Sequence, residues 1–241
     1  MGRCVLAAPA RPADARAALT LLLPLSRAWT AEPVLCQPVA VPQREPLSSA
    51  ATAAQRCREL LEAAVRELGG DFPVRTLVRA GYEPWKEVTA ACKEEGAELL
   101  LLLRPKGLDE PLFGHSVDDL LRTAPCDTVL APFLPAEALS RLLVGVRGGP
   151  NAELALRVAQ ALASAAGGEV TALHVFREDI SERDRWREER PYLVVMQRAE
   201  RSVRKRIAAG SAAHVIAQEA PAYTAVVVGA TADPGRPAVQ P

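Results

Sequence analysis

Net charge is what this chain lacks: 29 lysines and arginines balance 29 aspartates and glutamates across 241 residues. A balanced total gives no basic footprint for nucleic acid and no polybasic patch for an anionic membrane. Long hydrophobic runs are also missing, since no stretch reaches the roughly 18 uninterrupted apolar residues that span a bilayer. Membrane insertion is therefore not expected. The five cysteines stand at 4, 36, 57, 92 and 126, with no C-x-x-C pair and no His/Cys cluster at zinc spacing. They read as reduced, mostly buried thiols of a cytoplasmic protein, with no metal site. Aromatics are only 4% of the chain, and four lysines stand beside 25 arginines. That bias reflects genome composition more simply than function. No G-x-S-x-G, H-E-x-x-H or complete Walker loop occurs, so the chain is not expected to be an enzyme.

What is present is enough apolar sequence for a core, 49% hydrophobic, and an internal repeat. Residues 3–42 align with 141–178, which places Pro12 on Pro150 ahead of a helix in both copies. Further anchors pair 79–88 with 208–216 and 99–103 with 225–229. The repeat also disposes of a false lead. Arg3 and Arg11 followed by the apolar run 18–25 mimic a secretory signal, but the same segment recurs mid-chain as an ordinary strand and helix.

Periodicity predicts strands over 4–8, 33–41, 73–80, 99–103 and 127–131 in the first copy, and helices over 13–28, 48–68, 84–95 and 117–122. The leucine run 99–103 is too short for a helix and reads as a fully buried parallel strand. The second copy predicts strands over 141–146, 169–176, 202–208 and 224–228, with helices over 151–165, 181–199 and 212–220. Alternating strands and helices mean right-handed crossovers and a doubly wound parallel sheet. Expected domains are 1–133 and 140–241, joined by a linker over 134–139, the second domain lacking its last helix and strand. The arginine-rich stretch 183–190, interspersed with Glu and Asp, reads as a solvated helix face.

The segments LLVGVRGGPNAELAL (142–156), EVTALHVF (169–176), LFGHSVDDLLRTAPCDTVLAP (112–132) and VVVGAT (226–231) resemble the universal stress protein family in its tandem two-domain form. The resemblance implies two flavodoxin-like domains, of the adenine nucleotide alpha hydrolase-like kind, and ATP or AMP held at the carboxyl ends of the strands. It also implies a homodimer built through the strand 127–132. The first copy further resembles stress-protein domains appended to amino-acid permeases and antiporters, which implies a membrane transporter as an alternative partner.

Nucleotide-binding members carry an Asp just after the first strand and a loop of the form G-x2-G-x9-G-[ST]. Here the first strand ends in Ala8-Pro9-Ala10, and the loop keeps Gly107, Gly114 and Ser116, with Arg104 near the first glycine position, Lys106 nearby and His115 intruding before Ser116. The second copy has Arg147 where the Asp belongs, then Gly148 and Gly149, and keeps Gly229. Gly148-Gly149 also resembles the phosphate turn of ATP-pyrophosphatases, but Pro150-Asn151 follows where that motif has x-Asp. His174, mid-strand, reads as a packed histidine. The expectation is a non-enzymatic stress-response or regulatory module with a degenerate nucleotide pocket. The alternatives are a genuine ATP/AMP-binding stress protein and a regulatory partner of a transporter.

Overall fold

Strand β1 (Cys4–Pro9) is buried at every position, because a parallel strand at the centre of a doubly wound sheet has helices on both faces. The computed structural model describes residues 3–68, 70, 72–104, 111–148, 150–178, 180–199 and 202–229, which divide into two units, Met1–Pro135 and Ala136–Pro241.

In the first unit β1 is followed by α1 (Ala15–Ala28), β2 (Glu32–Ala40), α2 (Ala51–Leu68), β3 (Arg75–Gly81), α3 (Pro84–Glu95), β4 (Ala97–Arg104), α4 (Val117–Thr123) and β5 (Asp127–Pro132). The strands are parallel in the order β3-β2-β1-β4-β5. Helices α1 and α2 pack on each other over one face. On the opposite face, alternate residues of β1 (Cys4, Leu6 and Ala8) meet Trp85, Val88 and Cys92 of α3 and Leu120 of α4. The run Leu99–Leu103 is buried throughout within β4, as its length predicts, and each leucine contributes roughly 1.5–3 kcal/mol of burial. Helix α3 opens with Pro84 and stops at Gly96, whose φ of 61° supplies the left-handed cap that glycine adopts without a Cβ penalty.

The second unit runs β6 (Arg141–Gly145), α5 (Pro150–Ala165), β7 (Glu169–Phe176), α6 (Glu182–Arg198), β8 (Arg204–Ala209), α7 (Ala212–Glu219) and β9 (Ala225–Val228). Its parallel order, β8-β7-β6-β9, repeats the first four places of the other sheet. The repeat is visible in individual side chains. Arg75 of β3 pairs with Glu32 of β2 at 2.8 Å, and Arg204 of β8 pairs with Glu169 of β7 at 2.7 Å. The ladders also adjust the sequence alignment at the first strand. Cys4 lies beside Glu32 and Arg141 beside Glu169, so Cys4, not Arg3, is the counterpart of Arg141. The one-residue difference matters because side chains alternate between faces: Leu6 matches Leu143, and both face the α3 or α7 side.

The expected linker 134–139 contains a short 3-10 turn, Ala136–Leu139, with Leu139 buried. Among the described residues β9 is an outer strand. Val226 and Val228 are 37% and 61% exposed, whereas Leu100 and Leu102, their counterparts in β4, are 0% exposed.

Candidate functional site

An open α/β sheet offers a crevice at the carboxyl ends of the two strands where the winding reverses. In the first unit these are β1 and β4. The amide of Ala10, just past β1, donates to the carbonyl of Leu103 at 3.2 Å, tying the two strand ends together. No carboxylate follows β1 directly. The nearest in sequence, Asp14, is buried and held by Arg11 through two hydrogen bonds of 3.0 and 3.1 Å. Arg104, the last residue of β4, is only 4% exposed, a buried cation at the carboxyl end of that strand.

Gly114 and His115 belong to a tight turn. The amide of Leu112 donates to the carbonyl of His115 at 3.0 Å, and the amide of His115 returns to that of Leu112 at 3.1 Å. Both central residues have positive φ, 54° at Phe113 and 82° at Gly114. A phenylalanine there is strained, and the stacking of its ring on Trp85, 6.4 Å between centroids, offsets that strain. Ser116 is the N-cap of α4: its Oγ accepts from the Asp119 amide at 3.2 Å and donates to the Asp119 carboxylate at 2.6 Å. Asp118 and Asp119 both sit in the first turn of this seven-residue helix. The helix terminus is thus already answered by its own carboxylates, which repel an incoming anion. Lys106 and Gly107 lie outside the described residues.

In the second unit the corresponding crevice lies at the ends of β6 and β9. Arg147 is exposed there. Gly148 has φ of +118°, and a Cβ on it would stand 2.4 Å from Cβ of Pro191. The next residue of α6, Tyr192, is buried and stacks on His174, 4.9 Å between centroids, while Phe176 meets the same imidazole edge-on at 4.5 Å. His174 Nδ1 lies 2.7 Å from the carbonyl of Val146, in the segment that leaves β6. Pro191 and Tyr192 together form a wedge over the end of β6. At the end of β9, Gly229 rests on the carbonyl oxygen of Asn151, 3.0 Å from where its Cβ would be. Gly149 lies outside the described residues. The glycines that sequence reading offered to a phosphate, Gly148 and Gly229, thus accommodate the protein's own backbone and side chains. A shallow groove of about 240 Å3 remains at the ends of β7 and β8, between Phe176, Arg177, Arg185 and Ile207.

The wedge has a cost, because among the described residues neither Nε2 of His174 nor Oη of Tyr192 has a hydrogen-bond partner. Burial also pushes the Tyr192 phenol above its usual range, with Glu189 adding to the effect. The sequence marks His174 as a packed histidine but does not reveal Tyr192 as its ring partner. The only available signal was a proline inside a helical pattern. Among the described residues no group of three or more His, Cys, Asp or Glu suits a metal ion.

A sequence profile of the universal stress protein family matches residues 3–132. Among solved structures, the chain resembles a universal stress protein from Archaeoglobus fulgidus with a TM-score of 0.56 and 14% identity, over 90% of this chain and 81% of that one. It resembles a putative universal stress protein from Pseudomonas aeruginosa with a TM-score of 0.59 and 19% identity, over 97% and 84%. No curated protein sequence matches significantly. At these identities the structural likeness is one of fold.

Proposed function

The chain belongs to the universal stress protein family, and from that premise we propose that it acts as a non-enzymatic regulatory module of the stress response, with the nucleotide crevice degenerate in the first unit and closed in the second. The observation that carries this reading is the close approach of Pro191 to Gly148, a glycine that a phosphate turn would need for the phosphate's own approach to the backbone. In the first unit the reading is supported by Ala8-Pro9-Ala10 in place of an acidic residue and by Ser116 serving as a helix cap. Denaturing the purified protein and assaying the supernatant for adenine nucleotide tests it directly. No nucleotide is expected, and a stoichiometric amount overturns the reading.

A second reading, ATP or AMP binding by the first unit, draws on one feature: Arg104 ends β4, one of the two strands at the switch point, where a cation suits a phosphate. Two assembly proposals accompany the main reading. The outer edge of β5 is the expected seam of a homodimer, since an outer strand presents open backbone groups, and sedimentation as a monomer contradicts it. No helix among the described residues is long and apolar enough to cross a membrane, so an association with a transporter would be made from outside the bilayer. A pull-down against membrane fractions tests that partner.

A further inference from the structure

Helix α6 carries apolar residues on two opposite sides. Its inner side, with Tyr192, Val195 and Met196, is buried, while Trp186, Leu193 and Val194 are exposed on the outer side. Trp186 stands out at 63% exposure, since Trp85 is buried and Trp29 partly so. A tryptophan left in water withholds the large burial that its ring can contribute. The sequence marks 183–190 as a solvated charged face, and the structure adds an apolar strip to it.

Trp186, Arg190, Leu193 and Gln197 follow one another at i, i+4, i+7 and i+11, so they form one row along the helix. The row is about 16 Å long. The Arg190 guanidinium lies over the Trp186 ring, 5.9 Å from its centroid, within range of a cation–π contact. Arg183, Arg187 and Val194 flank the row. Among the described residues no carboxylate pairs with Arg183 or Arg190, and Arg187 lies 3.7 Å from Asp184. Asp184 is itself engaged at the helix cap, where its carboxylate accepts from the Ser181 hydroxyl at 2.6 Å. Glu189 is partly buried and close enough to Tyr192, on the inner side, to raise that phenol.

We propose that the outer side of α6 docks an acidic amphipathic helix of a partner protein, with Trp186 as the anchor and Arg183, Arg187 and Arg190 facing its carboxylates. A ridge three turns long fits the groove of another helix. Tryptophan and arginine are the side chains that carry most energy at such contacts. The arginines select carboxylates on the incoming helix. They also select against a second copy of the same face, which would set arginine against arginine. A bilayer is the poorer match, because the inner side of α6 is held in the domain and the outer strip is too narrow to sink among headgroups. Tyr192 lies on the other side of α6, so the proposal does not depend on whether a nucleotide binds.

The test places the photoreactive residue p-benzoylphenylalanine at Leu193 of the full chain, irradiates the cells that naturally produce the protein, and maps the adduct by mass spectrometry. The expected adduct is to another protein, through a segment with Asp or Glu flanking apolar residues at helical spacing. A labelled synthetic peptide of that segment should then bind the purified wild-type chain saturably, and more weakly as salt is added. Binding should fall about tenfold or more in Arg190→Glu and stay unchanged in Arg58→Glu, an exposed position on α2. Leu193 and Arg190 are both exposed, so neither substitution touches the core. A probe at Leu193 that yields no adduct, or that captures lipid, another copy of this chain or a segment without acidic flanks, overturns the proposal. An affinity indifferent to Arg190→Glu overturns it as well.

Discussion

Gly148 lies directly beneath Pro191, so close that a methyl group on its α-carbon would stand 2.4 Å from the proline Cβ. A glycine that sequence reading offers to a phosphate is thus spent on admitting a helix. The φ of +118° at Gly148 adds a second reason for glycine, because side-chain-bearing residues rarely adopt it.

Gly148→Ala is expected to destabilise the second unit by roughly 1–3 kcal/mol from backbone strain alone, with overpacking against Pro191 adding to this. Urea unfolding followed by circular dichroism measures the loss. A variant as stable as the wild type contradicts the contact.

Tyr192 provides a test of opposite sign. Its hydroxyl is buried without a partner among the described residues, and removing such a group recovers a desolvation penalty of about 1–3 kcal/mol. Tyr192→Phe is therefore expected to leave stability unchanged or raise it, while Tyr192→Ala, which removes the ring from His174, should cost about 3–5 kcal/mol. Thermal unfolding of the two variants side by side distinguishes a packing role from a hydrogen-bonding one.

Ser116→Ala addresses the other end of the argument. As an N-cap its loss should cost about 0.5–2 kcal/mol and leave the response to added nucleotide or phosphate unchanged. An anion dependence of stability in the wild type that vanishes in the variant would instead assign Ser116 to a ligand site.

The buried thiols set a dependence on alkaline pH. Folding raises Cys4 from 9.0 to about 11 and Cys36 from 9.0 to about 12, so above pH 9 the unfolded chain releases protons that the folded chain retains. Stability is then full below pH 9 and falls as pH rises, by about 1.4 kcal/mol per pH unit for each thiol. The decline from Cys4 ends near pH 11 and that from Cys36 near pH 12. Urea midpoints between pH 8.5 and 11 should fall along this line, and Cys36→Ala, whatever its own cost, should flatten the slope.

Local pattern carried the architecture. Pro84 at the first position of the helix and Gly96 after it bracket α3, the leucine run 99–103 marks the interior strand β4, and the second copy repeats the spacing. Register was less legible at the first strand, because apolar residues there differ between copies and only the sheet partners Glu32 and Glu169 align Cys4 with Arg141. Ser116 was legible as a residue near a helix start, but its partner Asp119 fixes the role as a cap. The wedge of Pro191 and Tyr192 lay beyond reach, since it depends on where α6 settles across β6 and not on any local pattern.

The central claim, that this family member has no working nucleotide crevice, is tested most directly by calorimetric titration of the full chain with ATP and AMP in the presence of magnesium. The account predicts no saturable heat up to millimolar nucleotide. A saturable isotherm approaching one nucleotide per chain would contradict it.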